Sequence, residues 1–500
     1  MARNLLALGA TPPGLYVDEA SVGYNAWTIA HHGVDEHGVH WPLFFEAFGE
    51  YKNPLYIYAL APLLRVAPLS AEVVRLPAAI FGLLTVVFLS MAAWRLSRSR
   101  WIALLVFALA ALTPWLTQES RLGFEVSAMT VLLAAALWCL AGDATPARLG
   151  AAGVLLGLAV YGYTSARLEV LLFAVAFVIA YGARRRRLPG WWLVLVPIAV
   201  TYAGLAVYNL RNPGALTARF DVISIAADGA PLLTLINRFI TNYFSYFGPV
   251  FLFVTGDLNP RHHTGYGGML PWIALPLLIA GLLALWRRRE QPFARFLLLS
   301  LVLSPCAAAI TGESVPHSLR AADMLPMLVL VEAYGIVGAR DLWPRRGALM
   351  GIAAAAALAV QGGLYTLDMY TAYPARAATA FDTGVEPAIL RASQALSAGG
   401  TVYLSSRLEQ PYIEAFFALR PDPPAQPVDD DVTPGLATLG MRIADPVFAE
   451  ATAQPGDLLV LGASDPMPRH GQVIDTEYAP RNPLDASGGG EPLAYVVRVR

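Results

Sequence analysis

The chain has 500 residues, 56% of them hydrophobic and only 14% charged, against roughly 25% charged in an average soluble protein. That excludes a simple soluble enzyme. With 35 basic and 36 acidic residues there is also no global basic field for nucleic acid. The two cysteines, Cys139 and Cys306, lie in apolar blocks and offer neither a disulfide framework nor a Cys-rich zinc site.

Asn4 to Ala10 is too short for a spanning helix, which needs ~20 residues. Either a first helix is truncated from the sequence or the chain starts at the membrane surface. Residues 1–70 are therefore assigned as a truncated N-terminus and first outer loop with interfacial helices. Within them, Asp18 and Glu19 precede a stretch of helical periodicity. They either cap that helix or present a carboxylate at the membrane surface, able to take a proton from an acceptor or to hold a metal. Further on, Glu50 and Lys52 stand just before Pro54 to Pro68, a segment too short and too interrupted to span, expected to be interfacial or re-entrant. Lys52 is the one lysine in the chain. It is an interfacial anchor or a point charge with rotatable donors suited to a phosphate oxygen.

Ten apolar blocks follow at about 71–95, 101–117, 124–141, 148–164, 168–183, 190–209, 270–286, 293–311, 323–339 and 347–367. Continuous apolar runs of this length predict helices and not barrel strands. Arginines gather in every second loop: Arg95, Arg98 and Arg100, then Arg148, Arg184 to Arg187, Arg287 to Arg289, and Arg340, Arg345 and Arg346. Those loops are expected in the cytoplasm, which places outside the first loop, the long loop 210–269, loop 312–322 and the tail. The core is thus 71–370 and the soluble domain 371–500. Short β-branched runs at Thr401 to Ser405, Asp457 to Gly462 and Tyr495 to Val499, with helical stretches between them, predict a small extracytoplasmic α/β domain.

On the outward side, Arg121 and Glu125 are four residues apart, either an ion pair on one helix face or a phosphate-binding cation and a second carboxylate. Arg261 and His262 sit in a glycine-rich loop with the character of an anion site, and the adjacent His262 and His263 are a weak metal signal. His317 and Arg320 are expected to open a helix, where a phosphate would be favoured. Each residue alone could be a solvated loop charge or a snorkelling arginine. Their convergence on one lip fits a cavity for a lipid phosphate.

The Asp18–Glu19 pair, Tyr51 to Tyr56 (Tyr-Lys-Asn-Pro-Leu-Tyr), Val74 to Pro77 (Val-Arg-Leu-Pro) and Ser120 to Glu125 (Ser-Arg-Leu-Gly-Phe-Glu), in this order and spacing, resemble the membrane glycosyltransferases of the GT-C superfamily. The relevant branch includes the protein O-mannosyltransferases and the lipid A aminoarabinose transferase. The resemblance covers about residues 12–370 and implies a GT-C-like polytopic α-helical membrane protein. It implies inverting transfer of a sugar from a polyprenyl-phosphate donor to a protein, lipid or glycan acceptor outside the cytoplasmic membrane. Asp18 and Glu125 would be the catalytic acids, and Glu19, Lys52, Tyr56, Arg121, Arg261, His262, His317 and Arg320 would bind substrate. The family's acid is out of register here, leaving Glu50 as the nearest ligand for a divalent metal ion, the one cofactor expected. A lipid-linked glycan polymerase or ligase would share the same site physics. A transporter or flippase would instead carry internal repeats and midplane charges.

Overall fold

The computed structural model describes residues 5–143, 145–182, 190–342, 347–397, 399–428, 432–485 and 490–500. The arginines at 184–187, Arg345 and Arg346, which carry part of the sidedness argument, lie outside the described residues. The described chain divides into two compact units. One holds 78–120 and 125–367; the other joins Leu5–Pro77, Arg121–Phe124 and Asp368–Arg500.

The first unit is helical. A helix begins over every apolar block, from Ala71–Ser97 (whose opening turns belong to the other unit) to Gly347–Tyr370. Two blocks break where proline interrupts the run. Arg100–Leu112 gives way to Pro114–Glu119, and Pro292–Leu303 to Pro305–Ala309. Proline lacks the N–H an unbroken helix needs, yet fits the first position of the next one. Among the described residues, four helical stretches are long and apolar enough to cross a membrane: Ala71–Ser97, Trp191–Arg211, Pro292–Ala309 (its two pieces taken together) and Leu349–Tyr370, with shorter apolar helices between them. Close packing depends on small residues. A Cβ on Gly281 would lie 2.0 Å from the carbonyl of Val331, and one on Gly335 would lie 2.1 Å from that of Leu277. Helices Ala274–Arg287 and Met324–Leu342 therefore touch backbone to backbone. The unit departs from the expected arrangement of charge, because Glu119, Glu169, Asp323 and Glu332 are all buried in it, Glu119, Glu169 and Glu332 within helices.

The second unit carries the sheets. A hairpin pairs β1 (Phe45–Ala47) with β2 (Glu50–Lys52) around Phe48 and Gly49, both at positive φ, as a two-residue hairpin turn requires. Strands β3 (Val402–Ser405), β4 (Met441–Ala444), β5 (Leu458–Gly462), β6 (Gly471–Tyr478) and β7 (Pro492–Val499) form a mixed sheet in the order β4-β3-β5-β7-β6. The strands expected from sequence are the central three, β3, β5 and β7. The missed β4 and β6 are the edges, where half-exposed polar sequences give no apolar run.

The C-terminal segment does not stand apart from the first loop, as its composition suggests. The Tyr24 hydroxyl donates to the Pro421 carbonyl at 2.8 Å, Val428 N–H donates to the His37 carbonyl at 3.0 Å, and Phe48 meets Tyr412 edge to face at 6.0 Å.

Candidate active site

In the unit that joins the first loop to the C-terminal segment, helix Val17–His32 sets the stage. Its first turn carries Asp18 and Glu19, where the helix dipole favours negative charge. Successive helical residues diverge by about 100°, and here that divergence separates two functions.

Glu19 is fully buried and accepts from Arg75 Nε at 2.8 Å, Arg75 Nη2 at 2.6 Å and Gly123 N–H at 2.6 Å. The rest of the Arg75 fork donates to the carbonyls of Leu8, Pro12 and Gly14 at 2.7–2.8 Å. All five guanidinium N–H groups are thus satisfied. Glu19, expected to bind substrate, forms one half of an internal clamp with Arg75.

Asp18 keeps 26% of its side-chain surface exposed and accepts from the ammonium of Lys52, whose side chain is 2% exposed. The hairpin delivers that lysine: Lys52 lies opposite Phe45 at the end of β2, and its ammonium sits 4.9 Å from the Phe48 ring centre. Helix Pro54–Leu64 begins two residues later, with Pro54 at its first position. A buried cation beneath an accessible carboxylate therefore comes from two elements that the sequence separates by 34 residues.

Beside this pair lies a group that the sequence reading left among loop charges. Glu36 is buried, accepts from Asn25 Nδ2 at 3.2 Å, and its own N–H donates to Asn25 Oδ1 at 2.9 Å. His37 Nε2 stands 3.8 Å from its carboxylate. Burial pushes the Glu36 carboxyl up to about 7, against the opposing pull of His37, Asn25 and Lys52. A folded-state value above the ordinary 4.5 means that stability is fully present below about pH 4.5 and is lost as pH rises through 7. Glu36→Gln should remove up to about 3 kcal/mol of this pH dependence. Melting temperatures of the detergent-solubilised protein between pH 5 and 8 check it, and identical slopes in both proteins would show that Glu36 is ionised in the fold.

The remaining expected residues of this unit are less accessible. Arg121 is buried and donates to the carbonyls of Leu6, Ala7 and Thr11 and to the Tyr370 hydroxyl at 2.6–3.2 Å. Residues 121–124 are not helical, so the four-residue spacing to Glu125 is not that of a helix face. Tyr56 is buried and donates its hydroxyl to the Val74 carbonyl at 2.8 Å. Glu50 opens β2 opposite Ala47. Among the described residues it belongs to no group of three converging metal donors.

In the helical unit, Glu125 is buried just ahead of helix Val126–Leu140. His317 and Arg320 lie in turns before helix Met324–Leu342, not at its first turn as expected. Arg320 donates to Thr311 Oγ1 and to the Glu313 carbonyl and carboxylate, the last at 2.8 Å. Arg261 is half-buried, and its carbonyl accepts from Gln118 Nε2 at 3.0 Å. His262 Nδ1 lies 3.0 Å from Asp257 Oδ2, and its ring centre 4.4 Å from that of His317. Burial raises the Asp257 carboxyl, but the hydrogen bond and charge of His262 outweigh it and hold Asp257 below the ordinary carboxylate range. Burial, then His262 and Arg320, hold His317 well below the usual histidine range. Asp257 escaped the sequence reading because a lone acid in Gly-Asp-Leu-Asn carries no motif.

No family model matches the chain, and no curated protein matches it by sequence. Solved structures do resemble it. ArnT from Cupriavidus metallidurans bound to undecaprenyl phosphate is 14% identical, with a TM-score of 0.56 over 99% of this chain and 96% of the other. The same enzyme in its apo state gives 0.55 over 98% and 95%, again at 14% identity. The oligosaccharyltransferase AglB from Archaeoglobus fulgidus, in complex with an inhibitory peptide and a dolichol-phosphate, gives 0.50 at 14% identity over 92% of this chain and 67% of that one. The chain thus shares its fold with these solved structures along nearly its whole length.

Proposed function

We propose that the protein is an integral-membrane glycosyltransferase moving a sugar from a polyprenyl-phosphate donor to an acceptor on the outer side of the cytoplasmic membrane. The observation that carries this reading is the Asp18–Lys52 pair, with an accessible carboxylate resting on a buried ammonium. The fold supports it, since one similar structure holds undecaprenyl phosphate and another a dolichol-phosphate.

In the free protein the pair is mutually neutralising. A donor phosphate draws the ammonium of Lys52 and leaves Asp18 to the acceptor. The acceptor hydroxyl or amine then attacks the anomeric carbon as Asp18 takes its proton. The bond from that carbon to the phosphate oxygen breaks with inversion, and polyprenyl phosphate leaves with the electron pair. Lys52 offsets the negative charge that grows on the leaving oxygen, in a place where burial strengthens the interaction. Of the cations named above, Arg75 and Arg320 hold protein groups, whereas Lys52 donates to the acid proposed to react. The acceptor is a protein, lipid or glycan.

The test uses the full chain in proteoliposomes supplied with undecaprenyl-phosphate sugars, following release of undecaprenyl phosphate. Lys52→Ala should lower turnover about 10²-fold with membrane insertion unchanged; undiminished turnover would return Lys52 to an interfacial anchor. A lipid-linked glycan polymerase or ligase would ignore single-sugar donors and accept whole glycans. A flippase would move the donor without cleaving it.

A further inference from the structure

Asp257 and His262 come from the loop that precedes helix Ala274–Arg287, and His317 from the loop that precedes helix Met324–Leu342. All three are buried, at 3%, 8% and 8% exposure. Each offers a ligand atom, and these atoms lie within 4.8 Å of one another. We infer that Asp257, His262 and His317 form a binding site for a divalent transition metal ion of the zinc type, an assignment independent of the role given to Asp18.

The carboxylate is held as a ligand is held. Asp257 Oδ1 accepts from Asn259 N–H at 2.9 Å, and Oδ2 accepts from Ser318 N–H at 2.7 Å and Ser318 Oγ at 2.8 Å, which fixes its orientation across both loops. The imidazoles converge on it. Among the described residues, His317 Nδ1 is buried with no hydrogen-bond partner, and a buried polar atom left in this state calls for an explanation. A metal ion supplies one, since neutral imidazole nitrogen is a metal donor.

The charge of the cluster argues against the anion site expected from sequence. A carboxylate stands at its centre, and the neighbouring Arg320 is already matched by Glu313 at 2.8 Å. Two nitrogens and one carboxylate oxygen suit zinc, whereas magnesium and calcium prefer all-oxygen sets. Bonds of about 2.0–2.2 Å place tetrahedral donors about 3.3–3.5 Å apart. The three side chains would therefore close by roughly 1 Å, and the proton that His262 Nδ1 shares with Asp257 would leave to solvent as the metal takes its place. Three protein ligands leave a fourth position open, and the metal would tie the two loops together.

The test is metal content. The purified full chain in detergent is incubated with zinc chloride, desalted and measured by inductively coupled plasma mass spectrometry. Wild type should retain about one zinc per chain, and Asp257→Asn and His317→Gln should each retain at least about tenfold less while eluting as folded monodisperse protein. Glu50→Gln should retain the wild-type amount. The melting temperature of the wild type, which needs no variant to fold, should rise with zinc and fall with a chelator. Wild type without retained zinc, undiminished zinc in both cluster variants, or loss confined to Glu50→Gln would each overturn the assignment.

Discussion

Asp18→Asn should reduce sugar transfer by about 10²–10⁴-fold, the usual range for loss of a positioned general base, and leave the protein folded. The amide is isosteric with the carboxylate and still accepts from the Lys52 ammonium, but it cannot take the acceptor's proton. Because Asp18 keeps a quarter of its side chain exposed (26%), the substitution opens no cavity. The loss should fall on kcat, with donor KM nearly unchanged, which separates this variant from Lys52→Ala, where the donor's phosphate is the affected partner. Steady-state transfer measured alongside melting temperature checks both halves. Wild-type turnover in Asp18→Asn would remove that residue from the reaction.

Its neighbour should behave in the opposite way. Glu19→Ala should destabilise the protein by about 3–5 kcal/mol, the range for breaking a buried ion pair from one side. The carboxylate and the guanidinium of Arg75 are both 0% exposed. Removing Glu19 strands two Arg75 donors and the Gly123 N–H, none of which has water to turn to. The clamp also gathers the carbonyls of Leu8, Pro12 and Gly14, so its loss should loosen the approach to helix Val17–His32. Thermal unfolding and limited proteolysis near residues 8–14 test this. A variant that melts with the wild type would show that Glu19 is not the clamp. The two adjacent acids thus make a paired experiment, one change affecting rate and the other stability.

Both acids were conspicuous in the sequence, but which of them would face solvent was not. That depends on where Arg75 and Gly123 come to lie, 56 and 104 residues away from Glu19. The helical body was legible because long apolar runs have one cheap solution in a membrane, and the central strands because their apolar runs are short and complete. The edge strands β4 and β6 were hidden by polar, half-exposed faces. Lys52 drew notice by being alone among arginines, and its partner turned out to be the very acid that stood out for a different reason. Arg75 and Arg121 illustrate the converse limit. Motif position marks an arginine as important without saying whether its fork holds a phosphate or the protein's own carbonyls. The Asp257, His262 and His317 cluster needed two loops that sequence could not bring together, so its histidines read as parts of an anion site, with only a weak metal signal from the adjacent His262 and His263.

The pairing of the first loop with the C-terminal segment has a temporal side. Tyr24, on the helix that carries Asp18, reaches its hydrogen-bond partner Pro421 across 397 residues. At roughly 5–20 residues per second, a ribosome needs roughly 20–80 s to make that stretch. For that interval the helix bearing Asp18 waits without the surface against which it finally packs. A chain interrupted after its last apolar helix would carry every residue of the Asp18–Lys52 pair and still lack the ground on which the pair is built.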